Sequence, residues 1–227
     1  STHRAMSQGG VAYEYSGRIY SQPGVHIYNI DGRHLVKTQP PNAYDLIILN
    51  GVDTFAALSI GAYAYAETYL YTKEAMTDYL RILNSRGLIN FNRWFEPELP
   101  RESLRLFVII LDALRSMGVE NPWQHVVVGN HSSWGMTLVK RTPFTREEID
   151  RLMEYFAAHD TEPVFAPYWN KSADAVNLFD LFVRFFAYGQ DKNFVDNYWA
   201  DISVVHDDSP FFYKYYKLTL GAFFPLR

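Results

Sequence analysis

Residues 44–49 read YDLIIL, an apolar run bounded by turn signals whose apolarity is continuous rather than alternating. A strand of that kind is buried on both faces, which happens in parallel sheets covered by helices on either side. The chain should therefore fold as α/β, with helices between its strands. Residues 26–31 (HIYNID), followed by Gly32, read as another β-type run, and residues 88–94 (LINFNRW) as a third. Between the last two lies TKEAMTDYLRIL, in which Thr72 caps a helix, Glu74 stands in its first turn, and Ala75, Tyr79, Leu80 and Leu83 form the buried stripe.

Pro100 opens a second helix whose apolar positions Leu104, Phe107, Val108, Leu111 and Leu114 keep helical spacing, and Gly118 ends it. Residues 125–130 and 135–141, joined through Ser132 and Ser133, carry the signature of an antiparallel hairpin, expected at the sheet edge. Thr145 with Glu148 forms a capping box, and Phe144 with Ile149 its hydrophobic staple. Past Pro163 the pattern changes. Ser172 is expected to cap an aromatic helix containing Phe179, Phe182, Phe185 and Phe186, and the rest is aromatic-rich. A boundary near residue 163 divides the expectation into residues 1–163, a partial sheet domain, and residues 164–227, an extension packed on it.

Composition excludes several classes. With 48% hydrophobic and 20% charged residues, the chain has the apolar area that a disordered one lacks. It has no cysteine, which removes disulfide scaffolds, thiolate metal sites and a cysteine nucleophile. A net charge of −4 without a basic run gives no electrostatic footprint for nucleic acid. The apolar stretches fall short of the roughly 20 residues that span a bilayer, and no secretory signal opens the sequence. The 5 Trp, 17 Tyr and 16 Phe are an excess that calls for a covered surface, either a core or a partner.

The stretch from Gly24 to Trp94 resembles the later strands of a class I S-adenosylmethionine-dependent Rossmann domain, and within it the spermidine-synthase-like family. PGVHIYNIDGRHLV resembles the family's third strand, YDLIILNGVDT its fourth strand and catalytic loop, and ETYLYTKEAMTDYLRILNSRGLINFNRW the helix and strand that follow. RESLRLF and RTPFT extend the likeness to about residue 165, and DDSPFF resembles the end of such domains where they are fused to membrane segments. The resemblance implies a partial Rossmann-like, methyltransferase-type three-layer sheet lacking its first strands. It implies that Asp31 and Gly32 contact the nucleoside in a complete domain, and that Asn50 and Asp53 occupy the catalytic loop. Thr54, Glu67, Tyr69 and Trp94 are expected around the substrate pocket, Glu67 as a carboxylate among apolar neighbours, with Arg93 beside Trp94.

Two departures shape the functional expectation. Asn50 stands where the aminopropyltransferases carry an acid, and an amide cannot take a proton. The glycine-rich turn that receives the cofactor has no counterpart in the sequence, since SQGG at residues 7–10 follows no strand. The expectation is thus a fragment of a methyl- or aminopropyl-transferring domain, inactive by itself. Its cofactor, S-adenosylmethionine or the decarboxylated form, would bind only in a complete parent. The alternative is a non-catalytic assembly domain of a larger membrane-anchored protein, in either case cytoplasmic. Without the central strands, residues 26–31 pair directly with 44–49, or another chain supplies strands; unpaired edges associate, so a homo-oligomer or the remainder of a parent chain is the expected partner. No metal is expected, because the seven histidines show no ligand spacing. His206-Asp207-Asp208 reads either as an acid-base cluster or as a turn before Pro210.

Overall fold

The computed structural model describes residues 2–51, 66–172 and 175–217. The chain divides into two units, Ser1–Thr38 and Gln39–Arg227. The first holds helix α1 (Thr2–Met6), a 3-10 turn at Ile19–Ser21 and helix α2 (Gly32–Thr38). Residues 26–31 are not the expected strand: they run without a ladder partner, and Val25, Ile27, Tyr28 and Ile30 are exposed. Asp31 instead caps α2, its carboxylate accepting the backbone N–H of His34 at 2.8 Å.

The second unit is built on a five-stranded mixed sheet of order β1-β2-β4-β3-β5. Its strands are β1 (Tyr44–Asn50), β2 (Leu83–Trp94), β3 (Val126–His131), β4 (Trp134–Lys140) and β5 (Glu162–Phe165). β1 is parallel to β2, and β4 runs antiparallel to both β2 and β3. The hairpin is therefore not at the edge as expected. Its second strand returns to pair with β2, and β5 adds an antiparallel strand outside β3. The two-residue turn between β3 and β4 uses Ser132 (φ 49°) and Ser133 (φ 69°), the left-handed pair whose twist matches a hairpin.

Helix α3 (Lys73–Ile82) starts at Thr72, whose hydroxyl accepts the Ala75 N–H at 3.1 Å, and passes without a loop into β2. β2 begins five residues earlier than the apolar run suggested. The ladder with β1 is interrupted between Tyr44 and Leu46, and Gly87 fits there because a Cβ would lie 2.6 Å from the Leu83 side chain and 3.0 Å from the Tyr44 carbonyl. Tyr79 of α3 meets Phe91 of β2 with ring centres 6.2 Å apart, which places α3 on one face of the sheet. Helix α4 (Arg101–Ser116), buried along nearly its whole length, packs on α3, β2 and β4.

The opposite face is covered by helix α5 (Arg146–Ala158). Its capping box forms as expected, and Phe144, Ile149 and Phe156 pack on Val127 and Leu138. Lys140 binds both oxygens of the capping Glu148, at 2.5 and 2.7 Å. This cover reaches Leu88 but leaves the β1 side of the same face open: Leu46 is 50% and Ile48 56% exposed. Among the described residues β1 is a sheet edge.

Helices α6 (Leu178–Ala187) and α7 (Asp191–Asn197) follow. α6 is capped by Asn177 with Asp180, not by Ser172, because Asn177 and Asp180 stand at the spacing that lets each side chain satisfy the other's backbone N–H. Phe179 and Phe182 pack edge-to-face on Phe107 of α4. Ile202, Phe212 and Tyr213 of the tail are likewise buried. Among the described residues the aromatics of this region are thus largely core, although Tyr168, Tyr188, Trp199 and Tyr216 remain exposed.

Candidate functional site

In open α/β sheets, ligands bind where parallel strands end. β1 ends at Asn50, and its register partner on β2 is Asn92. Side chains alternate along a strand, so Asn92 and Trp94 share one face with Asn50, while Arg93 points to the other. Trp94 is paired with Trp134 of β4, the two rings edge-on with centres 6.5 Å apart and exposures of 43% and 46%. Gly51 turns the chain away in the left-handed region (φ 54°), where a Cβ would stand 3.7 Å from the Trp134 ring. The result is a surface patch at the strand ends with two amides and two partly exposed indoles. It can hydrogen-bond and stack a ligand, but neither amide can transfer a proton.

Asp53 and Thr54 lie outside the described residues. Glu67 is exposed, and its carboxylate accepts the Tyr69 hydroxyl at 3.1 Å, a hydrogen bond that raises the pKa of that phenol above its ordinary value. The residues just before Glu67, 52–65, lie outside the described ones. Asp31 and Gly32 belong to the first unit, at the start of α2.

Arg93 does not stand beside Trp94 on that face. It is buried on the α4 side, donating to Glu102 (2.6 Å), to the Tyr71 hydroxyl (2.9 Å) and to the Tyr213 hydroxyl (2.5 Å). A second buried arginine, Arg105, donates to the carbonyls of Ser203 (3.0 Å), Phe212 (2.9 Å) and Lys214 (2.7 Å). Together they fix the tail against α4 and the end of β2. His206 and Asp207 belong to the same attachment. Thr72 donates to the Asp207 carboxylate at 2.6 Å, and Glu74 accepts from the Asp207 N–H at 3.0 Å and pairs with His206 at 2.9 Å. Burial alone would raise the pKa of Glu74, but these hydrogen bonds outweigh it and hold the carboxyl below its ordinary value. This cluster is the turn reading of the two. Among the described residues no group of acids and histidines is placed to hold a metal.

Sequence reasoning missed Asn92 and Trp134. The signal for Asn92 was present in the strand alternation of LINFNRW, whereas that for Trp134 required knowing that β4 pairs with β2.

No protein-family profile matches the chain, and no curated protein matches it in sequence. Solved structures resemble it in fold alone. One is a probable spermidine synthase from Corynebacterium glutamicum, 16% identical with a TM-score of 0.49, covering 79% of this chain and 57% of that one. Another is the spermidine synthase from Thermotoga maritima, 17% identical with a TM-score of 0.39, covering 61% and 42%. These structural neighbours are spermidine synthases. The chain spans between about two fifths and three fifths of their length. With β1, β2 and β3 parallel and β4 reversed between them, the α/β fold is consistent with a partial Rossmann-like, methyltransferase-type sheet. No helix among the described residues is long and apolar enough to cross a membrane.

Proposed function

We propose that this chain is the C-terminal portion of a spermidine-synthase-like group-transfer domain, one that moves a methyl or aminopropyl group from an S-adenosylmethionine-type sulfonium. On its own it carries the Asn50 end of the sheet but not the cofactor site. The observation that supports this reading most strongly is the position of Asn50 at the end of an edge strand whose apolar residues Leu46 and Ile48 face solvent. Strands that completed the sheet there would bring their own carboxyl ends beside Asn50.

The residues present do not fit the cofactor. No glycine-rich strand-to-helix turn occurs in the sequence, and the Asp31 carboxylate is committed to capping α2. Asn50 and Asn92 would orient a nucleophile, which must arrive neutral or give its proton to another base. The open edge would be closed by the remainder of a longer parent chain, in the cytoplasm and tethered to membrane segments, or by a second copy.

The amide at Asn50 also favours a second reading, an assembly domain that keeps the fold without the chemistry. Calorimetric titration of S-adenosylmethionine and its decarboxylated form into the longer parent separates the two. Saturable heat from either supports the transferase, and no heat from both would leave the assembly reading. This chain alone should bind neither.

A further inference from the structure

Among the described residues β1 pairs with β2 alone, and of its own residues only Leu49 is buried. Natural sheets blunt such an edge with a charge, a proline or a bulge. Residues 46–50, LIILN, carry no charge and no proline, and the one irregularity of the ladder lies before them, between Tyr44 and Leu46. An edge without these devices pairs with another strand, and the pattern of β1 says which. Side chains alternate, so the exposed Leu46 and Ile48 share one face while Ile47, between them, points to the other. Two copies joined edge to edge by a two-fold axis normal to the sheet run antiparallel and set one residue opposite its own equivalent. With the axis at Ile47 the whole of Tyr44–Asn50 pairs. Leu46 then stands opposite Ile48 of the second copy on both sides of the axis, which gathers the exposed aliphatic side chains into one patch. Asp45, the only charge in β1, meets Leu49 of the second copy and stays about 13 Å from the other Asp45. Moving the axis to either neighbouring residue shortens the ladder and loses the match of Leu46 with Ile48.

We infer that two copies of this chain associate through β1, antiparallel about Ile47, joining two five-stranded sheets into one. The inference rests on the same open edge as the transferase reading, but needs none of its chemistry. One strand edge and a small aliphatic patch fall short of the roughly 1,200 Å² that stable interfaces bury, so the dimer should be weak and concentration-dependent.

The sequence has no cysteine, so a single introduced one reports the register. Opposed residues of an antiparallel pair have Cα atoms about 4.5–5.5 Å apart, within the reach of a disulfide. Ile47→Cys should therefore form a covalent dimer on mild oxidation. Asn50 stands opposite Tyr44 of the second copy, so the two cysteines of Asn50→Cys lie about 20 Å apart and should not link. In light scattering, the mass of the native chain should rise with concentration toward twice that of one copy. Leu46→Lys, which alters only a half-exposed side chain, should keep the native circular dichroism and stay at the mass of one copy. A single-copy mass for the native chain at every concentration would overturn the inference and leave the edge to strands of a longer parent. So would linking of Asn50→Cys as readily as Ile47→Cys, no linking of folded Ile47→Cys, dimers of Leu46→Lys as abundant as the native ones, or species that grow beyond two copies. None of these results touches cofactor binding by the longer parent, so the two readings fail separately.

Discussion

Asn50 and Asn92 stand opposite each other in the parallel ladder of β1 and β2, so the carboxyl ends of these strands present two amides where the resembled family places an acid on the first. Asn50 is exposed. Replacing it by aspartate should therefore change stability by no more than about 0.5 kcal/mol. A thermal midpoint for Asn50→Asp within about 2 °C of the native value would bear this out.

The Arg93 network is different in kind. Its guanidinium lies over the Tyr71 and Tyr213 rings, 4.8 and 5.3 Å from their centres, as well as pairing with Glu102. Arg93→Met removes the cation that a largely buried carboxylate faces, and should cost about 3 kcal/mol in urea unfolding. Arg93→Met with Glu102→Gln should recover part of that loss, since the uncompensated charge is gone.

Gly87→Ala tests the irregular start of β2. The added Cβ would stand 2.6 Å from the Leu83 side chain and 3.0 Å from a backbone carbonyl. Overpacking of this sort should lower stability by about 1–3 kcal/mol, read from the midpoint of chemical unfolding.

Stability should also fall in acid. Burial would raise the pKa of Glu148 and Asp112, but the first is held below its ordinary value by Lys140 and the Thr145 N–H, and the second by Lys73 and Arg115. A carboxyl whose pKa is depressed by folding adds stability that is complete above its unfolded value, 4.5 for a glutamate, and is lost as pH drops through the lower folded one. His125 acts in the same sense: burial lowers its pKa below 6.5, so acid protonates it more readily in the unfolded chain. Unfolding free energy should thus decline below pH 6.5 and more steeply below 4.5, as measured by urea titrations across that range.

Local chemistry made part of this legible in the sequence. Thr145 and Glu148 specified the start of α5, and Thr72 the start of α3, because a cap is decided by residues three apart. YDLIIL did announce a strand, but its continuous apolarity came from one covered face and one open face, not from two covered faces. Residues 26–31 have the composition of a strand and none of the partners, and Asp31 found a helix to cap instead. The tail was least readable. Its role depends on Arg93 and Arg105 meeting residues about a hundred positions away, which no local pattern records.

The central claim, that β1 is an open edge awaiting further strands, is tested most directly by amide hydrogen exchange on residues 45–49 in the monomeric fraction of this chain. In a strand paired on one side only, every second amide lacks a ladder acceptor. Alternating fast and slow exchange is therefore expected, becoming uniformly slow in the longer parent or in an oligomer. Uniform protection of all five amides in the monomer would contradict the claim.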